Sequence, residues 1–134
     1  MKDDCIFCKL ANGVFPTNSI YEDDTFKVIL DASPATRGHA LILPKQHSEN
    51  IFEIDSDTLG EAMKLAKKIA TKMQEKLACD GINIIQNNGT VAGQSVMHYH
   101  LHVIPRYKDD NQKILWQPRE VEDATQKEIV ELMK

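Results

Sequence analysis

The sequence predicts an α+β domain: an antiparallel β-sheet packed with one long helix and a shorter one. Short runs rich in β-branched and aromatic residues are separated mostly by brief loops, and a single stretch of about twenty residues changes to helical periodicity. The chain has 134 residues, 42% of them hydrophobic, which is enough for one core. Together these features favour strands that pair with near neighbours and a helix that covers one side of them.

The chain opens on an apolar turn at CIFCKLANG, followed by two extended segments, SIYEDD from Ser19 and TFKVILD from Thr25. ASPATRGH reads as a loop because Pro and Gly punctuate it, and HALILP supplies a third strand that stops at Pro44. From Thr58 to Leu77 the residues Leu59, Met63, Ala66, Ile69, Ala70, Met73 and Leu77 recur at helical spacing, with lysines mostly between them. Thr58 and Glu61 fit a capping box at its start, and Gly81 follows its end. INIIQN then reads as a strand, NGTVAGQS as a glycine-bearing loop and MHYHLHVIP as the last strand, with a closing helix at ATQKEIVELMK. One domain over residues 1–134 is expected, residues 106–134 forming a C-terminal extension.

Twenty acidic against sixteen basic residues leave a net charge of −4, and no basic stripe with interleaved aromatics is present. Nucleic acid is therefore not the expected partner. No 18 apolar residues run together, and MKDDCIFCKL is acidic and polar where a signal peptide would be basic and then apolar. The expectation is a soluble cytoplasmic protein with no membrane partner. Three cysteines do not make the disulfide framework of a secreted domain.

Two clusters carry chemistry. His98, His100 and His102 alternate along the last strand, and a strand turns alternate side chains to one face about 6.5–7 Å apart. The intervening Tyr99, Leu101 and Val103 suit a buried face. Three ligands of one zinc would have to converge with bonds of about 2.0–2.1 Å, which a straight strand opposes, so phosphate chemistry competes well with a metal. The second cluster is the C-x-x-C of Cys5 and Cys8, which on its own reads as a redox pair, a zinc half-site or chance. AGQS, Ala92 to Ser95, could cradle an anion with backbone N–H groups and the Ser95 hydroxyl, although an ordinary turn has the same composition.

The run His98-Tyr99-His100-Leu101-His102-Val103-Ile104 resembles the signature of the histidine triad superfamily. NNGTVAGQS, LDASPATRGHALILPKQH and CIFCKLANGVFP resemble the same family at matching places, so the similarity covers nearly all of the chain to Arg106. The likeness is greatest to the Hint-like branch and its bacterial-type small proteins. It implies a homodimer that binds purine nucleotides of the AMP or GMP class and hydrolyses nucleoside phosphoramidates or related derivatives at the α-phosphate. The same triad would also serve a Fhit-like dinucleoside polyphosphate hydrolase, or a nucleotide-binding protein with little turnover.

Residue by residue, the resemblance makes His100 the nucleophile and His102 a phosphate contact, with His39 as a fourth active-site histidine that orients or polarises His100. Ser95, Gly93, Gln94 and Asn87 match phosphate or sugar contacts, and Asp31 matches an acceptor for the ribose hydroxyls. Ile6, Phe7, Leu10 and Ile29 resemble the walls around the base, and core packing is an equal reading for each of them. Bacterial-type members combine the C-x-x-C with two histidines, which here implies a structural zinc held by Cys5, Cys8, His47 and His98. Trp116 lies where the resemblance weakens; in some relatives a C-terminal Trp reaches the partner's active site, and surface packing is the preferred reading here.

Overall fold

The computed structural model describes residues 1–134. Helix α1 spans Ile6–Ala11, followed by strands β1 (Ser19–Glu22), β2 (Phe26–Leu30) and β3 (Ala40–Pro44). Helix α2 runs over Ser56–Leu77, β4 over Gly81–Ile85, β5 over Leu101–Arg106 and α3 over Asp123–Leu132. The five strands form one sheet in the order β1-β2-β3-β5-β4, and every neighbouring pair is antiparallel. The α+β expectation holds, and all the predicted strands and both predicted helices are present.

Strand alternation sorts the sheet into two faces. Val28, Ala40, Ile42, Leu101 and Val103 pack against Ala62, Leu65, Ala66, Ile69 and Met73 of α2, forming the main core with Phe26, Ile54 and Tyr99. The opposite face carries Ile29, Leu41 and Leu43, which are covered by Ala11 with Phe7 and Leu10 beside it. The functional side chains emerge on this second, thinly covered face.

Three boundaries differ from the sequence expectation, each for a local reason. CIFCKLANG is a helix and not a turn, because the Cys5 thiol caps it by accepting the Cys8 backbone N–H at 3.3 Å. Helix α2 starts two residues before Thr58, because the Asp55 carboxylate accepts the N–H groups of Asp57 and Thr58, both at 3.1 Å. Its far end is closed by Ala78 in the left-handed conformation, φ 53°, and Gly81 instead opens β4.

The third difference matters most. Strand β5 begins at Leu101, so His98 and His100 precede the ladder and only His102 lies within it. Residues 98–100 are tied elsewhere: the Tyr99 N–H donates to the Ser48 carbonyl at 2.7 Å. Departure from a regular strand lets His98 and His100 face different neighbours.

Beyond β5, Arg106 donates to Asp110 at 2.8 Å and to the Gln112 carbonyl at 2.7 Å, and the Gln112 side chain donates to the Ala35 carbonyl at 2.8 Å. This segment braces the loop that leads into β3. Helix α3 buries no residue, and Trp116 is 82% exposed at the surface of the single chain. No helix is long and apolar enough to cross a membrane.

Candidate active site and metal centre

In register, His102 of β5 sits opposite Leu41 of β3 and Ile85 of β4, on the face away from α2. His39 stands just before β3. Its backbone is held at both ends, the N–H on the Thr36 carbonyl at 3.2 Å and the carbonyl taking the Asp31 N–H at 2.9 Å. Gly38, at φ +92°, makes this entry possible, because a Cβ there would meet Leu77 Cδ1 at 2.6 Å and Pro105 Cγ at 3.3 Å.

The hydrogen bonds assign the ring protons. The Ala35 backbone N–H donates to His39 Nδ1 at 2.9 Å, so that nitrogen is an acceptor and the His39 proton resides on Nε2. His39 Nε2–H then donates to His102 Nδ1 at 2.9 Å, which leaves the His102 proton on Nε2. His100 has the opposite arrangement: its Nδ1–H donates to the His98 carbonyl at 2.7 Å, and Nε2 keeps a free lone pair. A donor and a bare nitrogen therefore stand side by side, their ring centroids 5.0 Å apart.

Burial holds these rings neutral. It pushes His102 down to about 4, with the neighbouring His100 and His39 adding to the fall and Asp31 opposing it. Burial also lowers His100 and His39, in both cases against Asp31, whose carboxylate lies 3.6 Å from His39 Nε2. Asp31, His39 and His102 are close enough to suggest a metal trio. The Ala35 N–H argues against it, because it leaves the inward nitrogen of His39 protonated and without a lone pair to give.

His100 and His102 open on a cleft of about 410 Å³. Phe7, Leu10, Ile29 and Leu41 line its apolar side, and Asp31, Ser95, Thr17 and Asn18 its polar side. The Phe7 ring meets His100 edge-on, centroids 4.8 Å apart at 87°. Asp31 Oδ1 accepts the Ser33 N–H at 2.8 Å, and the Thr17 hydroxyl is buried with no partner.

A second cluster lies at the other end of the histidine run. His98 Nδ1 is 3.4 Å from both Cys5 Sγ and Cys8 Sγ and 3.2 Å from His47 Nδ1, and Cys8 Sγ is 3.4 Å from His47 Nδ1. A tetrahedral zinc with bonds of about 2.0–2.3 Å requires ligand atoms roughly 3.3–3.8 Å apart, so these spacings fit it closely. The four ligand atoms all lie within 4.8 Å of one another. His98 Nε2–H donates to the Pro44 carbonyl at 2.8 Å, which directs its Nδ1 lone pair into the cluster. Burial, with Cys5 adding to it, raises the Cys8 thiol, and burial pushes His98 down to about 4. A dication is the group that would reverse the thiol preference.

With this geometry in place, comparison with known proteins is decisive. The chain matches the HIT domain over residues 12–109. It belongs to the HIT family. This HIT protein is similar to a HIT family protein from Bacillus subtilis whose crystal structure superposes with a TM-score of 0.90 at 34% identity, covering 98% of this chain and 95% of the other. A zinc-bound histidine triad family protein from Mycobacterium smegmatis superposes at 0.79 with 38% identity, covering 87% and 84%. Adenosine 5'-monophosphoramidase of Saccharomyces cerevisiae is 36% identical over 119 residues, 89% of this chain and 73% of the relative. These relatives agree with the Hint-like resemblance of the motifs.

Not every residue singled out from the sequence of the HIT protein lies in the cleft. Ile6 is 45% exposed and does not line it. Gln94 is only 2% exposed and is consumed within its loop: its amide oxygen accepts the Gly89 N–H, and its amide nitrogen donates to the carbonyls of Glu49 and Val96. Asn87 stands behind that loop, where a Cβ on Gly93 would come within 3.3 Å of its Nδ2. His39 pairs with His102 and not with His100, which corrects the partner expected for it. Leu41 and Thr17 were not singled out. The strand pattern could have found Leu41, which shares a face with Leu43, but nothing in the sequence points to Thr17.

Proposed function

We propose that this HIT protein is a purine nucleotide hydrolase acting at the α-phosphate of nucleoside phosphoramidates or related derivatives. The observation that carries the reading is the complementary protonation of neighbouring rings: His100 offers a bare Nε2 to the cleft, and His102 offers an N–H beside it. Nitrogen attack on phosphorus forms a nucleotidyl-histidine at His100 as the bond to the leaving amine breaks. Water then cleaves that intermediate, so one displacement becomes two. His102 Nε2–H supports the negative charge that builds on the phosphoryl oxygens, and Ser95 at the cleft rim is a second donor. The departing amine takes up a proton from solvent in the first step and the water that cleaves the intermediate releases one in the second, so the cycle is proton-balanced.

In this reading Phe7, Leu10, Ile29 and Leu41 hold the base, and Asp31 keeps Oδ2 for the ribose hydroxyls. Gln94 acts as a brace that fixes the Gly93 and Ser95 backbone, and Asn87 supports the same loop. Cys5, Cys8, His47 and His98 would hold a zinc whose chemistry is structural, tying α1 to the sheet end. Zinc thiolates suit a reducing cytoplasm. Residues 1–134 form one domain. The yeast relative's name as an adenosine 5'-monophosphoramidase supports the substrate class.

We also assign a homodimer. In support, β4 is an edge strand, the exposed Ile84 and Met63 border a groove of about 640 Å³ between it and α2, and a single chain leaves Trp116, Leu115 and Leu132 exposed. A second copy would cover such surfaces. Light scattering on the purified protein should give twice the chain mass.

The test of function is a panel of adenosine and guanosine phosphoramidates beside a diadenosine polyphosphate, assayed with wild type and His100→Ala. The phosphoramidates should show the higher kcat/KM, and His100→Ala should lose turnover while still binding AMP. A preference for the dinucleotide would move the protein to the Fhit-like reading.

A further inference from the structure

The two clusters described above meet in two residues. His98 directs its Nδ1 into the Cys5, Cys8 and His47 cluster, while its own carbonyl accepts the His100 Nδ1–H at 2.7 Å. Phe7 lies between the two cysteines in sequence, and its ring stands edge-on to both His98, at 6.1 Å, and His100, at 4.8 Å. Helix α1 is only six residues long. Its attachment includes the Asn12 side chain donating to the Lys45 carbonyl, the packing of Ala11, Phe7 and Leu10 on Ile29, Leu41 and Leu43, and the thiol cluster. A helix this short does not hold its position alone.

We infer that the Cys5–Cys8–His47–His98 metal site is coupled to the nucleophile, with the His98 backbone and the Phe7 ring as positioning groups that fix the tautomer and aim of His100. The inference rests on the proposed role of His100. With metal bound, the His98 backbone cannot drift, its carbonyl keeps the His100 proton on Nδ1, and Phe7 closes off the ring's other side. Without metal, α1 and the turn at residues 96–100 loosen together. His100 then samples the tautomer with its proton on Nε2, which cannot attack phosphorus. Phe7 has a double place, on the cleft wall and against the nucleophile, and the two roles have different kinetic signatures.

The test compares zinc-loaded protein, protein stripped by a chelator and shown to be folded by circular dichroism, and zinc-loaded Phe7→Ala. For each, 15N-labelled histidine spectra report the His100 tautomer, and kcat, KM and AMP affinity are measured with adenosine phosphoramidate. Loaded wild type should show one Nδ1–H tautomer. The stripped protein and Phe7→Ala should both show mixed or broadened His100 signals, with kcat down about tenfold or more. AMP affinity should change less than about threefold in the stripped protein, while Phe7→Ala also weakens AMP binding because the ring lines the cleft. Phe7→Tyr, which keeps the ring edge, should restore both readouts. If stripping unfolds the chain, His47→Ala, which removes one ligand and leaves His98 and both thiols in place, supplies the weakened metal site, and zinc-loaded Phe7→Ala tests the ring's part alone. An unchanged tautomer and kcat, a rise in KM alone, or a protein that takes up no zinc would overturn the inference. Absence of phosphoramidate turnover in loaded wild type would defeat the proposed function, and the tautomer spectra would still decide the coupling.

Discussion

His39 Nε2 lies 2.9 Å from His102 Nδ1, while the Ala35 backbone N–H occupies the other nitrogen of His39 at 2.9 Å. A backbone amide cannot change its role as donor, so it fixes the proton on His39 Nε2 and, through it, on His102 Nε2. The loop between β2 and β3 thereby sets the hydrogen-bonding face that β5 presents to the cleft.

Removing that relay should act on turnover more than on binding. His39→Ala leaves the His102 tautomer unfixed, and kcat for a phosphoramidate should fall by roughly 10²-fold with little change in KM. Steady-state kinetics on the variant checks this, and a rise in KM with kcat intact would place His39 in ground-state binding instead.

The depressed histidines make an acid-sensitive protein. Burial, with His100 and His39 beside it, pushes His102 from its ordinary 6.5 down to about 4 in the folded protein. Between those two pH values the unfolded chain takes up a proton that the folded protein refuses. This group's contribution is therefore complete above about pH 6.5 and is lost as pH falls toward about 4. The melting temperature should be flat above pH 6.5 and drop below it, and His102→Gln should flatten part of that slope. An unchanged slope in the variant would show that His102 is not depressed.

Gly38 couples stability to the site. Gly38→Ala forces a Cβ to within 2.6 Å of Leu77 Cδ1 at a φ of +92°, and should cost about 1–3 kcal/mol. Because the displacement falls next to His39, kcat should fall too. Thermal denaturation and kinetics measure the two effects, and a variant as stable and active as wild type would remove the claimed constraint.

The metal set makes a compositional prediction. Tag-free protein should carry about one zinc per chain by elemental analysis, and Cys5→Ser with Cys8→Ser should lose both the metal and several degrees of melting temperature. Fully folded wild type that stays metal-free under zinc-replete conditions would contradict the assignment.

Strands and the long helix were legible because their periodicities are strong, whereas the split of five histidines into two groups was implied by the family resemblance and by no spacing rule. What the sequence concealed was local. A thiol capping α1 falls outside the usual Ser, Thr, Asp and Asn signals, and Asp55 outcompeted Thr58 because a carboxylate can accept two N–H groups. Alternation implied one straight strand through His98, His100 and His102. The chain leaves the ladder before Leu101 because the Tyr99 N–H is satisfied by Ser48, a contact between residues 51 positions apart that no local pattern encodes. Gln94 looked like a phosphate donor by position, yet its burial and three hydrogen bonds make it a brace.

The central claim, a nucleotide carried transiently on His100 Nε2, is tested most directly by the stereochemical course at phosphorus. A nucleoside phosphoramidate made chiral at the α-phosphorus with sulfur and isotopic oxygen should be hydrolysed with net retention, because each of two in-line displacements inverts the centre. Net inversion would mean that water attacks the substrate directly, and the assignment of His100 as nucleophile would be wrong.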